Sequence, residues 1–268
     1  RVLGPFGLVS LGVGVIIGAG LFSVTGSVAG AHAGPAITIS FVLAAIACGF
    51  AGLCYAEFAS MLPVAGSAYT YSYATMGELV AWIIGWDLVL EYAVAAVTVS
   101  ISWSQYLAIF MNDIGFPLPP DLLSCPSQGG IVCLPAMILV VVLSLLLAKG
   151  TESSTRFNDF IVVLKLFVVG AFIILGWQYI HTENYTPYIP QNTGVFGEFG
   201  WSGILRGAAI LFFAYIGFDA ISTAAQETIN PRRNMPIGIL GSLLVCTVIY
   251  CLFAHVMTGV APYTAYSK

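Results

Sequence analysis

The stretch Gly12-Val13-Gly14-Val15-Ile16-Ile17-Gly18-Ala19-Gly20-Leu21-Phe22 lies inside the first strongly apolar run of the chain. Each glycine weakens a helix interior by roughly 1 kcal/mol relative to alanine, so four of them in so short a stretch make a continuous helix a poor expectation. In hydrocarbon an unwound backbone survives only where it faces protein or a water-filled cavity. Two readings of the glycines stand. One is a helix broken near its middle. The other is a smooth face for a neighbouring helix, because the spacing of Gly14 and Gly18 lets backbones touch.

Working outward, the environment is set by composition. Of 268 residues, 59% are hydrophobic and only 7% charged, and the mean hydropathy is +0.96. A soluble globular domain is excluded by such values, and a formal net charge of −4 carries little meaning where most of the chain meets no water. Charges fall at the edges of long apolar runs, as bilayer-spanning helices require. Seven spans are expected: Phe6–Ala29, Ala36–Leu62, Gly77–Met111, Val132–Leu147, Phe157–Ile180, Ile204–Ala225 and Ile237–Val260. The third exceeds one untilted crossing and is expected to tilt or to carry an exposed end. The first run is too long for a secretory signal and lacks a clear cleavage motif. Arg1 rather than Met stands first, so a missing N-terminus is expected.

Basic residues give the orientation. With the N-terminus inside, Arg1, Lys149, Arg156, Arg232 and Arg233 all face the cytoplasm, while Arg206 and Lys268 lie outside. The opposite orientation exposes the larger set, so a cytoplasmic N-terminus in the cell membrane is expected. Cys125 and Cys133 then fall outside, flanking Pro126–Val132. They are read either as a disulfide, which an oxidising compartment permits, or as two unpaired thiols. Cys48, Cys54, Cys246 and Cys251 lie within spans and are expected to pack.

Every ionisable group at membrane depth needs a role. Lys165 sits in the middle of the fifth span, between Leu164 and Leu166. It either fixes structure by bonding a carbonyl or exchanges a proton, since burial favours its neutral form. Asp219 follows Ile216-Gly217-Phe218, where Gly217 interrupts the sixth span, and is expected to support the restart of a helix at its positive end. Asp87 and Glu91 share a helix face by their spacing, as a polar pair or without special role. Glu57 lies near the inner end of the second span, to line a gate or pair with an arginine. The alternating Tyr69, Tyr71 and Tyr73 are read as interfacial rings or as a gate-lining segment. His32, His181 and His255 have no metal-ligand spacing, and no phosphate-binding loop is present. No metal, other cofactor or nucleic acid partner is expected, and no enzymatic activity. The lipid bilayer is the expected surroundings.

The first and sixth spans are thus both interrupted near their centres, five helices apart, which points to an inverted repeat in which each unit opens with a broken helix. Four segments together carry a resemblance: Gly12–Phe22; Glu57-Phe58-Ala59-Ser60-Met61-Leu62-Pro63 through Gly66-Ser67-Ala68-Tyr69; Phe213-Ala214-Tyr215-Ile216-Gly217-Phe218-Asp219; and Glu227-Thr228-Ile229-Asn230-Pro231-Arg232-Arg233-Asn234-Met235-Pro236. In this order they resemble the amino acid–polyamine–organocation superfamily of permeases, and the third and fourth resemble its cationic amino acid transporter branch. The resemblance covers nearly the whole chain.

The implied fold is an all-α membrane protein of the five-plus-five inverted-repeat type. Residues 1–181 would be the first repeat and 182–268 the incomplete start of the second, a truncated form of a protein with about twelve helices. The resemblance implies a small-molecule substrate, an amino acid. Its α-carboxylate would rest on backbone N–H groups of Gly18, Ala19 and Gly20, and its α-ammonium on carbonyls of Ile16, Phe213, Ala214 and Ile216. Helix ends of the right polarity agree with this independently. Ala19 stands where many relatives have a hydroxyl residue. Lys165 matches a lysine of bacterial, proton-coupled relatives, which implies symport with protons. Val94, Val97, Thr98, Ile101, Phe213 and Ile216 offer no carboxylate for a cationic side chain, so a neutral substrate is favoured. Alternatives are an exchanger, a polyamine antiporter, a sensor that binds without moving substrate, and a seven-helix receptor. A cytoplasmic N-terminus and a membrane lysine outside the last helix oppose the receptor.

Overall fold

The computed structural model describes residues 2–124, 129–148 and 151–267. Among them the secondary structure is helical, apart from one isolated bridge between Leu3 and Thr228. The helices are α1 (Pro5–Ile16), α2 (Thr25–Val28), α3 (Ile37–Met61), α4 (Ser67–Met76), α5 (Glu78–Asp113), α6 (Leu134–Ala148), α7 (Thr151–Gly176), α8 (Gly200–Leu211) and α9 (Pro231–Val260). Five stretches of the described residues are long and apolar enough to cross a membrane, and α1 and α6 are shorter apolar helices. Each of the seven expected spans holds helix. The third is unbroken over 36 residues, roughly 54 Å at 1.5 Å per residue, well beyond a hydrocarbon core of about 30 Å.

The chain divides into two compact units: Arg1–Gly85 with Leu166–Lys268, and Trp86–Lys165. In the first unit, α9 is the central element, packed along both α1 and α3. Its buried residues Met235, Ile239, Leu243, Cys246, Tyr250, Phe253 and Met257 recur at helical spacing and form a continuous inward stripe. Small residues let its neighbours come close. A Cβ at Gly12 of α1 would lie 2.5 Å from the Ser242 Cβ, and one at Gly238 of α9 would lie 2.7 Å from the Leu8 Cβ. On α3, the buried series Phe41, Ala44, Cys48, Gly52, Ala56 and Ala59 turns a mostly small-residue face inward. Pro236 falls near the start of α9, where little of the helical ladder is lost to it.

In the second unit, the thiol of the buried Cys133 donates to Ser104 Oγ at 3.2 Å. Cys125 lies outside the described residues. The long helix α5 turns large apolar side chains outward. Within this unit Trp86, Val89 and Leu90 are each at least 60% exposed, a surface suited to lipid or further helices and not to water.

Candidate functional site

The first span does break within the glycine stretch. Helix α1 ends at Ile16, and Ile17 takes an extended conformation with φ −70° and ψ 108°. The chain then resumes with a π-helical turn over Gly20–Val24, followed by α2 and a second π-helical turn over Ala29–Ala33. The Gly18 carbonyl accepts from Leu21 N–H at 3.0 Å and so belongs to the restarted helix. The amides of Gly18, Ala19 and Gly20 stand at its first turn, where a helix leaves N–H groups without an intrahelical acceptor. A Cβ at Gly18 would meet nothing nearer than the Ile16 oxygen at 4.0 Å. This glycine is therefore not a helix-packing contact, and close packing belongs to Gly12 and Gly20.

The sixth span breaks in the same manner. Helix α8 tightens into a 3₁₀ turn at Phe212–Tyr215, and Ile216 is extended with φ −54° and ψ 137°. Gly217 has φ +111°, a conformation that side chains disfavour. A 3₁₀ helix over Asp219–Glu227 follows. Asp219 is buried in its first turn, favourable for a carboxylate at a positive helix end. Ser67 Oγ donates to its Oδ2 at 3.4 Å.

The two breaks pack directly together. A Cβ on Gly20 would lie 2.4 Å from the Ala214 Cα, and one on Gly217 would lie 2.8 Å from the Val15 Cγ1. Two crossing points thus require glycine, one from each broken span. Ile16, Gly20 and Ala214 are buried, while Gly18, Ala19, Phe213 and Ile216 are half-buried. Two of the seven residues expected at a site, Gly20 and Ala214, are thereby in direct contact across the junction.

One residue of the junction escaped the sequence reading. The Tyr250 hydroxyl, from α9, donates to the Ile16 carbonyl at 3.0 Å and to the Ala214 carbonyl at 2.9 Å. Its ring is fully buried beside Phe41 and Tyr215, with centroids 5.3 Å away in each case. A phenol in the middle of an apolar span was the available signal, since a buried hydroxyl requires a partner. Of the remaining carbonyls, that of Phe213 accepts from the Ile216 N–H at 3.3 Å.

Beside the second break lies an aromatic cluster. Tyr55 meets Phe218 edge-on at 5.6 Å, and Phe58 stacks on Tyr71 at 5.2 Å. Tyr71 is buried, whereas Tyr69 and Tyr73 are exposed, so only one of the three alternating tyrosines serves the interior. Burial holds the Tyr71 phenol above its ordinary pKa. Tyr55, Phe58, Tyr71 and Thr75 border a cavity of about 200 Å³.

Glu57 is exposed on α3. Lys165 is half-buried in α7 and belongs to the second unit. Val97 and Ile101 border an apolar cavity of about 420 Å³ with Ala136, Met137 and Val140 of α6. Cys48 and Cys246 pack in the core as expected, but Cys54 is exposed, because its position on α3 lies off the buried small-residue face. Among the described residues no cluster of metal-ligating side chains is found.

An all-helical bundle in which two interrupted apolar spans meet at their breaks defines a multi-pass membrane protein of the permease class. The sequence profile of the family described as "Amino acid permease" matches residues 3–267. The chain is 47% identical over 271 residues to the branched-chain amino acid permease BcaP of Bacillus subtilis (strain 168), covering all of this chain and 56% of that protein. It is 44% identical over 265 residues to the methylthioribose transporter of the same strain, covering 98% of this chain and 56% of that protein. Similarity extends to the vacuolar cationic amino acid transporter 2 of Arabidopsis thaliana, 41% identical over 259 residues, covering 96% of this chain and 40% of that protein. The chain belongs to the amino acid permease family, within the amino acid–polyamine–organocation superfamily. It spans about half the length of the curated relatives it matches.

Proposed function

We propose that the protein carrying this chain is a secondary active transporter of amino acids in the cell membrane, with a cytoplasmic N-terminus, and that residues 1–181 form its first repeat and 182–268 the start of the second. The α-carboxylate rests on the amides of Gly18, Ala19 and Gly20, where first-turn N–H groups and the positive helix end favour an anion. The α-ammonium rests on carbonyls of Ile16, Phe213, Ala214 and Ile216. The observation that supports this reading is the direct contact of the two breaks at Gly20 and Ala214. The aromatic cluster of Tyr55, Phe58, Tyr71 and Phe218 closes the path on the cytoplasmic side. Lys165 is the proton-coupling residue. The substrate side chain is neutral, since none of Ile16, Gly18, Ala19, Gly20, Phe213, Ala214 and Ile216 carries a carboxylate.

A second reading has one specific support, the 44% identity to a methylthioribose transporter. A thiosugar has neither carboxylate nor ammonium and would meet the amides and carbonyls through neutral hydroxyl groups, without charge. The test is uptake and counterflow in proteoliposomes of the full-length protein, with labelled branched-chain amino acids, lysine and methylthioribose. Saturable counterflow of a neutral amino acid, competed poorly by methylthioribose, is the expected result. Counterflow of methylthioribose alone overturns the amino acid reading, and binding without counterflow makes the protein a sensor.

A further inference from the structure

We propose that the Tyr250 hydroxyl is a built-in substitute for the substrate ammonium, satisfying the carbonyls of Ile16 and Ala214 whenever the site is empty. The proposal rests on the amino acid reading above and adds a part to it. Its geometry is that of a ligand. The hydroxyl oxygen stands 3.0 and 2.9 Å from the two oxygens, within the range at which an ammonium nitrogen sits from its acceptors. Both carbonyls belong to residues freed from helical pairing by the breaks, and both residues are buried. Without a donor, each is a buried unsatisfied acceptor, which a low-dielectric interior penalises.

A carrier that performs net transport must return empty through a closed state. Loaded, the junction has the three donors of an ammonium. Empty, it would hold two bare carbonyls at the moment water is excluded. Tyr250 removes that penalty from a third element, since α9 runs beside both broken spans and its ring is fixed between Phe41 and Tyr215. One hydroxyl proton shared between two acceptors is a weaker donor set than a charged ammonium. Substrate therefore remains the better partner, and the substitute does not block loading.

This separates two transport modes. Tyr250→Phe keeps the ring and deletes the donor, so it penalises the empty carrier and spares the loaded one. In proteoliposomes of the full-length protein, net uptake driven by an imposed gradient is expected to fall about tenfold, while exchange between substrate on both sides stays within about twofold. Equilibrium binding is expected to tighten about three- to tenfold, because the empty state alone lost a hydrogen bond. Equal loss in both modes, no change in either, or weaker binding overturns the proposal. Wild-type protein that moves no amino acid overturns the earlier reading instead. Should Tyr250→Phe not fold, 3-fluorotyrosine placed at position 250 keeps the hydroxyl. Its fluorine resonance is expected to shift on adding the amino acid and not on adding the carboxylic acid that lacks the amine. No shift with the amino acid overturns the proposal.

Discussion

At the residue scale, Gly18 and Gly20 look alike in sequence and differ in place. Gly18 faces open space, whereas any Cβ on Gly20 meets the backbone of Ala214. Gly20→Val therefore tests packing as much as binding, since the wedge falls between the two breaks. Gly18→Ala is the cleaner probe of carboxylate binding. It is expected to leave thermal unfolding in detergent nearly unchanged and to weaken amino acid binding at least tenfold, about 1.4 kcal/mol. Unchanged affinity in a folded Gly18→Ala protein would mean that bound substrate does not approach Gly18 on the side its Cβ would occupy. Gly20→Ala is expected to lower the unfolding temperature as well as the affinity, because its neighbour is backbone and has no rotamer to yield.

The elements show how a broken span is held in register. Before α1, the Val2 and Leu3 amides donate to the Glu227 carbonyl at 2.8 and 3.1 Å, and Ile229 N–H returns a bond to the Leu3 carbonyl at 2.9 Å. The start of the first broken span is thereby tied to the end of the second. At the second break, Gly217 combines φ +111° with the approach of Val15. Gly217→Ala is expected to cost about 1–3 kcal/mol from backbone conformation, with a further cost from the crowded contact. The measurement is unfolding of the purified variant in detergent. A stability equal to wild type would mean that the sixth span does not hold this conformation in the membrane. Why the chain breaks here was legible in part, because Gly217 is a local signal. A helical restart at Asp219 was an expectation from the sequence, whereas the hydrogen bond it takes from Ser67 required the distant α4 to be in place.

Across the whole molecule, the proposed coupling to protons is the property that a binding site alone does not supply. Lys165 stands between Leu164 and Leu166 in α7. Lys165→Ala and Lys165→Gln are each expected to abolish accumulation driven by an inward proton gradient while changing equilibrium binding less than fivefold. Uptake with and without the gradient, beside binding to the same purified variant, decides it. If either variant still concentrates substrate when the gradient is imposed, the lysine is structural.

The residues by themselves determined the bilayer environment, the seven apolar runs, both interruptions and the family. These are properties of local composition: hydropathy is summed along a run, and a glycine disfavours helix wherever it sits. Tertiary structure decided which glycine does what, since Gly12 and Gly20 are set by neighbours from other spans while Gly18 has none close by. It placed Val97 and Ile101 beside α6, and it turned one of three alternating tyrosines inward. Above all it found Tyr250, whose bond to Ile16 joins residues 234 positions apart. No periodicity or spacing records such a pairing, because the need of a buried carbonyl for a donor is met by whichever helix the fold brings alongside.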